Sequence, residues 1–468
     1  MPSRHAPLTE SPPCPGSPEP AQLLAEDQAH LIHSLHSASA QAHAHIWTRG
    51  QGAVLIDQDG TEYLDGLAGL WNVLVGHGQP RLAEAAARQM NQLAYASAYA
   101  GSTNRPAIEL AERLSELCYP AITRFFFACG GAEANESAFK TARFFWKANN
   151  RPQKTKIISR RWAYHGTTLA AMSATGISSY WPMFEPRVPG FLHIESPYPY
   201  RFEAAPTSAA ERRTPGEQAA DLLEEIILRE GADTVAAFIG EPVQGAGGVL
   251  VPQSDYWPRI RAICDRHDVL LIADEVITGF GRTGAPFGLL HYGIEPDIVT
   301  LAKGLTSGYF PMGAMGVHRR IAEAIDQAAG ASAWMHAFTY SSHPVGCAVA
   351  LANLDLLEQE QLYERAIELG RGLQSKLQTL TSHRHVGEVR GQGTMAAVEF
   401  VADKATKREF RPEEQIGPRI HAAAQQRGLF SRLRGDVFNL APCYVASEAQ
   451  ISAMVERLGA AIEDVLGK

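Results

Sequence analysis

The 468-residue chain is 45% hydrophobic and 20% charged, an ordinary globular composition with enough apolar material for two domains. A formal charge of −8 without any Lys or Arg block argues against a nucleic-acid partner, and no run approaches the roughly 18 apolar residues of a membrane span. The six cysteines (Cys14, Cys118, Cys129, Cys264, Cys347, Cys443) stand far apart with no CxxC pair, so neither a disulfide framework nor a zinc ribbon is indicated and a reducing cytoplasm is the expected compartment.

Taken in chain order, the first twenty residues carry seven prolines and no apolar core of signal-peptide length, and residues 1–25 read as a disordered tail. Residues 26–74 are assigned to the N-terminal part of a small domain. Its histidines (His30, His33, His36, His43, His45) include no pair at i, i+4 and no completing Cys or carboxylate set, so a polar, partly exposed segment is expected rather than a metal site. Residues 75–340 form the expected large domain. Helical spacing over 81–93, 107–117 and 132–148 alternates with strand-like runs at 123–129, 156–160, 234–242, 269–276 and 297–303, the pattern of a mostly parallel sheet covered on both faces. The polar stretch 201–217 reads as a surface excursion. Residues 341–468 are a second, α+β domain. A long helical pattern over 344–380 leads there to strands at 386–391 and 394–401, a helix near 413–427, a strand-rich stretch over 429–440 and a final helix.

Ligands of open α/β sheets sit outside the carboxyl ends of the strands, so the residues ending each strand are the candidates for chemistry. After TRFFFA comes CGGAEANE, where paired glycines open a helix whose free N–H groups suit a phosphate. After KIISRRWA come Tyr164, His165 and Gly166, an aromatic placed to stack on a ring. VAAFIG runs into Glu241, VLLIA into Asp274, Glu275 and Val276, and IVTLA into a lone lysine, Lys303. A buried ammonium costs several kcal/mol unless it is paired or chemically used. A phosphate site, an aromatic plate, a carboxylate and a lysine are together what a pyridine aldehyde phosphate requires, the amine closing a Schiff base and the carboxylate keeping the pyridine nitrogen protonated.

The motifs YLDGLAGLWNVLVGHGQP, FFACGGAEANESAFK, YHGTT, IGEPVQGAGG, LLIADEVITGFGRTG, PDIVTLAKGLTSGYFPMGA and HAFTYSSHP resemble the class III pyridoxal-phosphate aminotransferases, the group containing ω-amino acid:pyruvate and amine transaminases, over about residues 27–465. The resemblance implies an α/β fold of type I, with a mostly parallel seven-stranded sheet in the large domain and a smaller α+β domain. It also implies a homodimer with shared active sites, tetramers being left open. It makes Lys303 the Schiff-base lysine and Asp274 the partner of the pyridine nitrogen. Val276 and Tyr164 flank the ring, Gly131 and Ala132 hold the phosphate, Glu241 joins the cofactor set, and Thr339 reaches the neighbouring subunit's phosphate. For substrate it implies Trp71 and Tyr164 in the pocket, Tyr99 entering from the other subunit, and Arg432 in GLFSRLRGD binding the keto-acid carboxylate, with Arg434 as the alternative.

One departure stands out: the family usually has Ser-Gly-Ser where this chain has Gly130-Gly131-Ala132, so backbone N–H groups must hold the phosphate, at a cost of about 1 kcal/mol per missing hydroxyl. Gly279-Phe280-Gly281-Arg282-Thr283-Gly284 matches a dinucleotide fingerprint, but Pro286 and Gly288 interrupt the helix that would follow, and Lys303 stands where a second strand would end in an acid. The expected reaction is a ping-pong transfer from an amine or ω-amino acid to a keto acid, pyruvate being the expected acceptor. The rival readings are a decarboxylase or aminomutase with the same cofactor, or a non-catalytic dimeric scaffold.

Overall fold

The computed structural model describes residues 20–205 and 213–467. The expected tail lies outside the described residues as far as residue 19. From Pro20 the chain is helical to His30, so the helix begins inside the segment read as a tail. Residues 206–212 of the polar stretch also lie outside the described residues. Its end is not irregular, because Thr214 and Glu217 form a reciprocal cap on the helix Pro215–Glu230.

Three strands come first: β1 (Trp47–Gln51), β2 (Val54–Asp57) and β3 (Glu62–Asp65). The large sheet then uses β4 (Ile122–Ala128), β5 (Lys156–Arg160), β6 (Phe191–Ile194), β7 (Val235–Gly240), β8 (Leu270–Asp274), β9 (Ile298–Leu301) and β10 (Gly313–His318) in the order β4-β10-β9-β8-β7-β5-β6. All pairings are parallel except those of β10, which runs antiparallel to both β4 and β9. VAAFIG and LLIAD are buried along their whole length, which is why they read as continuous apolar runs rather than alternating ones. The two-residue period shows instead in which face each side chain serves. Leu271 and Ala273 join the core under the helices Pro215–Glu230 and Tyr256–His267, while Leu270 and Ile272 join the core under Gly131–Ala148. β6 and β10 are not evident in the sequence. In GAMGVH two glycines dilute the strand pattern, and at Gly316 a Cβ would lie 2.6 Å from the Phe125 ring, so tight packing between β4 and β9 requires the residue that looks least like a strand.

The long helical pattern after Pro344 is two helices, Pro344–Gln359 and Leu362–Gln378, broken where Gln361 turns left-handed at φ 53°. They lead to β11 (Val386–Gln392), β12 (Met395–Phe400), β13 (Leu429–Phe430), β14 (Arg432–Arg434) and β15 (Val437–Leu440). An antiparallel sheet β11-β12-β15-β14 forms one layer, while β13 pairs in parallel with β3 and ties the N-terminal strands to the C-terminal part. The glycine run 279–284 has a structural task. It turns the chain so that fully buried Arg282 donates from Nη1 to the carbonyls of Ala441 (3.1 Å) and Pro442 (2.7 Å) and lies over the Tyr444 ring. The motif ties the segment after β8 to the segment after β15.

Candidate active site

A cavity of about 430 Å³ opens at the carboxyl ends of the large sheet. Seven of the sequence-predicted residues line it: Gly131, Ala132, Tyr164, Glu241, Asp274, Val276 and Lys303. They arrive from five places along the chain, each at or just after the end of a strand, because the parallel connections return every strand to the same edge.

Asp274, the last residue of β8, is buried, and its carboxylate is held from three sides. Oδ2 accepts from Asn135 Nδ2 at 2.8 Å and pairs with His165 Nδ1 at 2.7 Å, while Oδ1 accepts from the Val276 amide at 3.1 Å. Because a carboxylate oxygen accepts, His165 carries its proton on Nδ1 here, and its Nε2 is buried without a partner. Glu241 is likewise fixed, accepting from the backbone N–H of Tyr164 (3.0 Å) and Gly245 (2.9 Å), and burial pushes its carboxyl up. Lys303 follows β9 after Ala302 and takes a left-handed φ of 46°, a strained conformation for a side chain of this size. Its side chain lines the cavity wall and is partly buried. Burial lowers its pKa, with Asp274 and Glu241 opposing, so the neutral amine is more accessible than in a solvated lysine.

The helix Gly131–Ala148 points its first turn at the cavity. Gly130 caps it without a side-chain bond, and the first intrahelical-type bond is Ala134 N–H to Gly130 C=O, so the N–H groups of residues 131–133 remain available to an anion. Gly131 has no room for a side chain: a Cβ there would meet Val276 Cγ1 at 2.9 Å. Gly130 differs. Its backbone is extended and a Cβ would meet nothing within 4 Å, so Gly130→Ser is expected to fold normally. A hydroxyl there adds a hydrogen bond to a charged group, and equilibrium dialysis is expected to show pyridoxal phosphate held about tenfold more tightly.

Trp71, Tyr99, Thr339 and Arg432 do not line the cavity. Trp71 is buried against Leu67, Val243 and Ile277, while its neighbours Leu70 and Asn72 reach the wall. Tyr99 is 55% exposed, and Thr339 is exposed with its carbonyl accepting from the Tyr95 hydroxyl at 2.7 Å. The two arginines of β14 separate. Arg434 lies over the Trp162 ring at 3.6 Å, whereas exposed Arg432 acts on Tyr164 and Tyr180: burial raises both phenols, and the Arg432 charge is among the influences pulling them back. Sequence reasoning gave no role to His165 or Asn135. His165 directly follows Tyr164, and Asn135 lies four residues after Gly131 on the same helix face, a spacing that could have revealed it.

A cavity-lining lysine facing an anchored aspartate, beside a glycine-opened helix end, defines the site of a fold type I pyridoxal-phosphate enzyme. Comparison with known proteins gives the family. The aminotransferase class-III model matches residues 36–462. The chain is 41% identical to the diaminobutyrate–2-oxoglutarate transaminase of Halomonas elongata, covering 92% of each chain, and 40% identical to the putrescine–pyruvate aminotransferase of Pseudomonas aeruginosa, covering 88% of this chain and 89% of that one. Among solved structures it superposes on an (S)-enantioselective ω-transaminase from Thermomicrobium roseum with a TM-score of 0.90 at 48% identity, covering 95% of this chain and 98% of that one. The chain belongs to the class III aminotransferases, which use pyridoxal phosphate. The residues present fit that cofactor: a helix end with free N–H groups, a glycine that leaves space beside Val276, a fixed carboxylate, and an amine in the cavity wall. Among the described residues no group of three or more His, Cys, Asp and Glu converges as a metal site, and no helix is long and apolar enough to cross a membrane.

Proposed function

We infer that this aminotransferase takes the amino group from an amine or ω-amino acid and delivers it to a keto acid, with pyruvate as acceptor, in two half-reactions. The observation that carries the reading is Lys303 facing anchored Asp274 in a cavity beside which Arg432 supplies an exposed positive charge. Pyridoxal phosphate, when bound, supplies an aldehyde that condenses with amines and a protonated pyridine ring that accepts an electron pair. Lys303 Nζ, whose pKa burial lowers so that the neutral amine is more accessible, would hold the aldehyde carbon and would take the proton from the substrate carbon. Asp274, fixed by Asn135 and His165, would keep the ring nitrogen protonated. The first turn of the helix Gly131–Ala148 would hold the phosphate, Val276 and Tyr164 would flank the ring, and Glu241 orients the Tyr164 backbone.

Arg432 is proposed to bind the keto-acid carboxylate and to swing aside for an uncharged amine; its guanidinium fork suits a carboxylate. Arg432→Ala is expected to raise KM for pyruvate about 30-fold or more while changing KM for 1-phenylethylamine little, as steady-state kinetics with each substrate varied would show. Pyruvate as acceptor is supported by the Pseudomonas aeruginosa relative, while the Halomonas elongata relative uses 2-oxoglutarate.

The reading extends to a homodimer in which Thr339 and Tyr99 complete the partner's site. Support comes from the apolar side chains exposed around them, Tyr95, Met335 and Tyr340. A cytoplasmic location is part of the same reading, supported by five described cysteines that are all unpaired. The deciding experiment is the visible spectrum of the holoenzyme. A yellow band that bleaches with amine and returns with pyruvate, but not with 2-oxoglutarate, fits the proposal. Return only with 2-oxoglutarate would replace the acceptor, and carbon dioxide release without any keto-acid requirement would replace the reaction.

A further inference from the structure

Arg432 and Arg434 are two apart on β14, so their side chains leave the strand on the same face. Arg434 lies over Trp162 in the segment that ends in Tyr164, and Arg432, exposed on the same face of the strand, is close enough for its charge to be felt at the Tyr164 phenol. Trp162 is itself held in place. It has a left-handed φ of 64°, its amide donates to Gly176 C=O at 3.1 Å, and Gly247 packs so closely that a Cβ there would sit 2.4 Å from its carbonyl oxygen. With the Arg434 guanidinium 3.6 Å from its ring centre, Trp162 remains 37% exposed.

Arg434 shares a pocket with a charged cluster. Beside it, buried Glu399 of β12 accepts from Arg201 Nε at 2.8 Å and Nη2 at 2.6 Å, from Arg390 Nη1 at 2.7 Å, and from the Tyr198 hydroxyl. Arg390 in turn donates to Gly248 C=O at 2.8 Å. Tyr198, Arg201 and Gly248 belong to the large-domain part of the chain; Glu399, Arg390 and Arg434 belong to the C-terminal part. Arg434 and Trp162 line one pocket with Tyr198, Arg201 and Glu399, so the cation on the ring is part of the same seam between the two. β14 is a three-residue edge strand that pairs with β15 through Arg432–Asn439, Leu433–Phe438 and Arg434–Val437, and Leu433 packs on the core from its other face, so the face carrying the two arginines is fixed by what the large sheet's loops present to it.

We propose that Arg434 is a positioning residue: seated on Trp162, it sets the register of β14 against the 162–164 segment and so places Arg432 beside Tyr164, where an acceptor carboxylate would bind. The inference rests on the carboxylate role proposed above for Arg432. It assigns Arg434 a share in selecting charged acceptors without contact with either substrate.

The test uses the holoenzyme and varies pyruvate and 1-phenylethylamine separately. Arg434→Met is expected to raise KM for pyruvate about tenfold, the scale of a partly desolvated cation–π contact, with kcat and KM for the uncharged amine changed less than about twofold. Arg434→Lys, which keeps a cation over the ring, is expected to restore most of the loss. Trp162→Leu is expected to match Arg434→Met, and the double variant to be no worse than either single one. Trp162→Leu leaves every charge in place, so it carries the same test if Arg434→Met folds poorly. Equal effects on both substrates, or additive effects in the double variant, would overturn the proposal. If Arg432→Ala raises KM for pyruvate but neither Arg434→Met nor Trp162→Leu does, the positioning role alone fails; if Arg432→Ala itself has no effect, the carboxylate assignment fails first.

Discussion

Lys303→Ala is expected to lower kcat by about 10³-fold or more, because the variant loses both the covalent anchor and the base that moves the proton. Borohydride treatment followed by peptide mapping gives an independent readout. In the natural enzyme a pyridoxyl group should be fixed on the peptide containing Lys303, and in the variant no peptide should carry it. Near-natural turnover in the variant would end the assignment. Partial burial of the amine also sets a pH dependence. In cofactor-free protein the folded state releases the Lys303 proton below the ordinary value of 10.5. Between the folded and unfolded values the unfolded chain binds more protons, so stability rises with pH through that window and is lost as pH falls through it. Denaturant titrations of the cofactor-free enzyme at several pH values should show that slope, and Lys303→Ala should flatten it.

Asp274→Asn is expected to reduce kcat by roughly 10²- to 10³-fold, since one preorganised charge aimed at the reacting system is removed while the cavity keeps its shape. The substitution also disturbs the cluster behind it. Oδ2 serves both Asn135 and His165, and Oδ1 serves the Val276 amide; an amide side chain has one acceptor oxygen where the carboxylate has two. One buried donor is then left without an acceptor, so a lower melting temperature should accompany the kinetic loss. His165→Ala separates the two effects: a fall in stability with a smaller fall in kcat would show that His165 supports Asp274 rather than acting on the cofactor itself. If Asp274→Asn kept full activity, the carboxylate would have no part in the chemistry.

Much of the site could be read in the chain because each of its parts ends a strand. An apolar run that stops at a single charged residue is a local pattern, and Lys303, Asp274 and Glu241 each stand at such a stop. The glycine pair at 130–131 was visible for the same reason, as a strand running into a helix. His165 and Asn135 were hidden because neither breaks a local rule; only the packing of the helix Gly131–Ala148 and of the loop after β5 around the end of β8 brings them to one oxygen. β10 was hidden by its glycines, which the sheet needs for packing and which a propensity reading counts against a strand.

The amino-acid sequence by itself pointed to the fold class, to five of the seven strands of the large sheet, and to the lysine, the carboxylate and the glycine-opened helix at the cavity, since all of these depend on residues adjacent along the chain. The tertiary structure decided which arginine of β14 lies on Trp162, what holds Asp274, and that Arg282 of GFGRTG binds the carbonyls of Ala441 and Pro442. Arg432 and Arg434 share one face of one strand and one chemistry. They differ only in what the large domain presents opposite them, and that contact joins segments far apart in the sequence, where spacing and propensity carry no information.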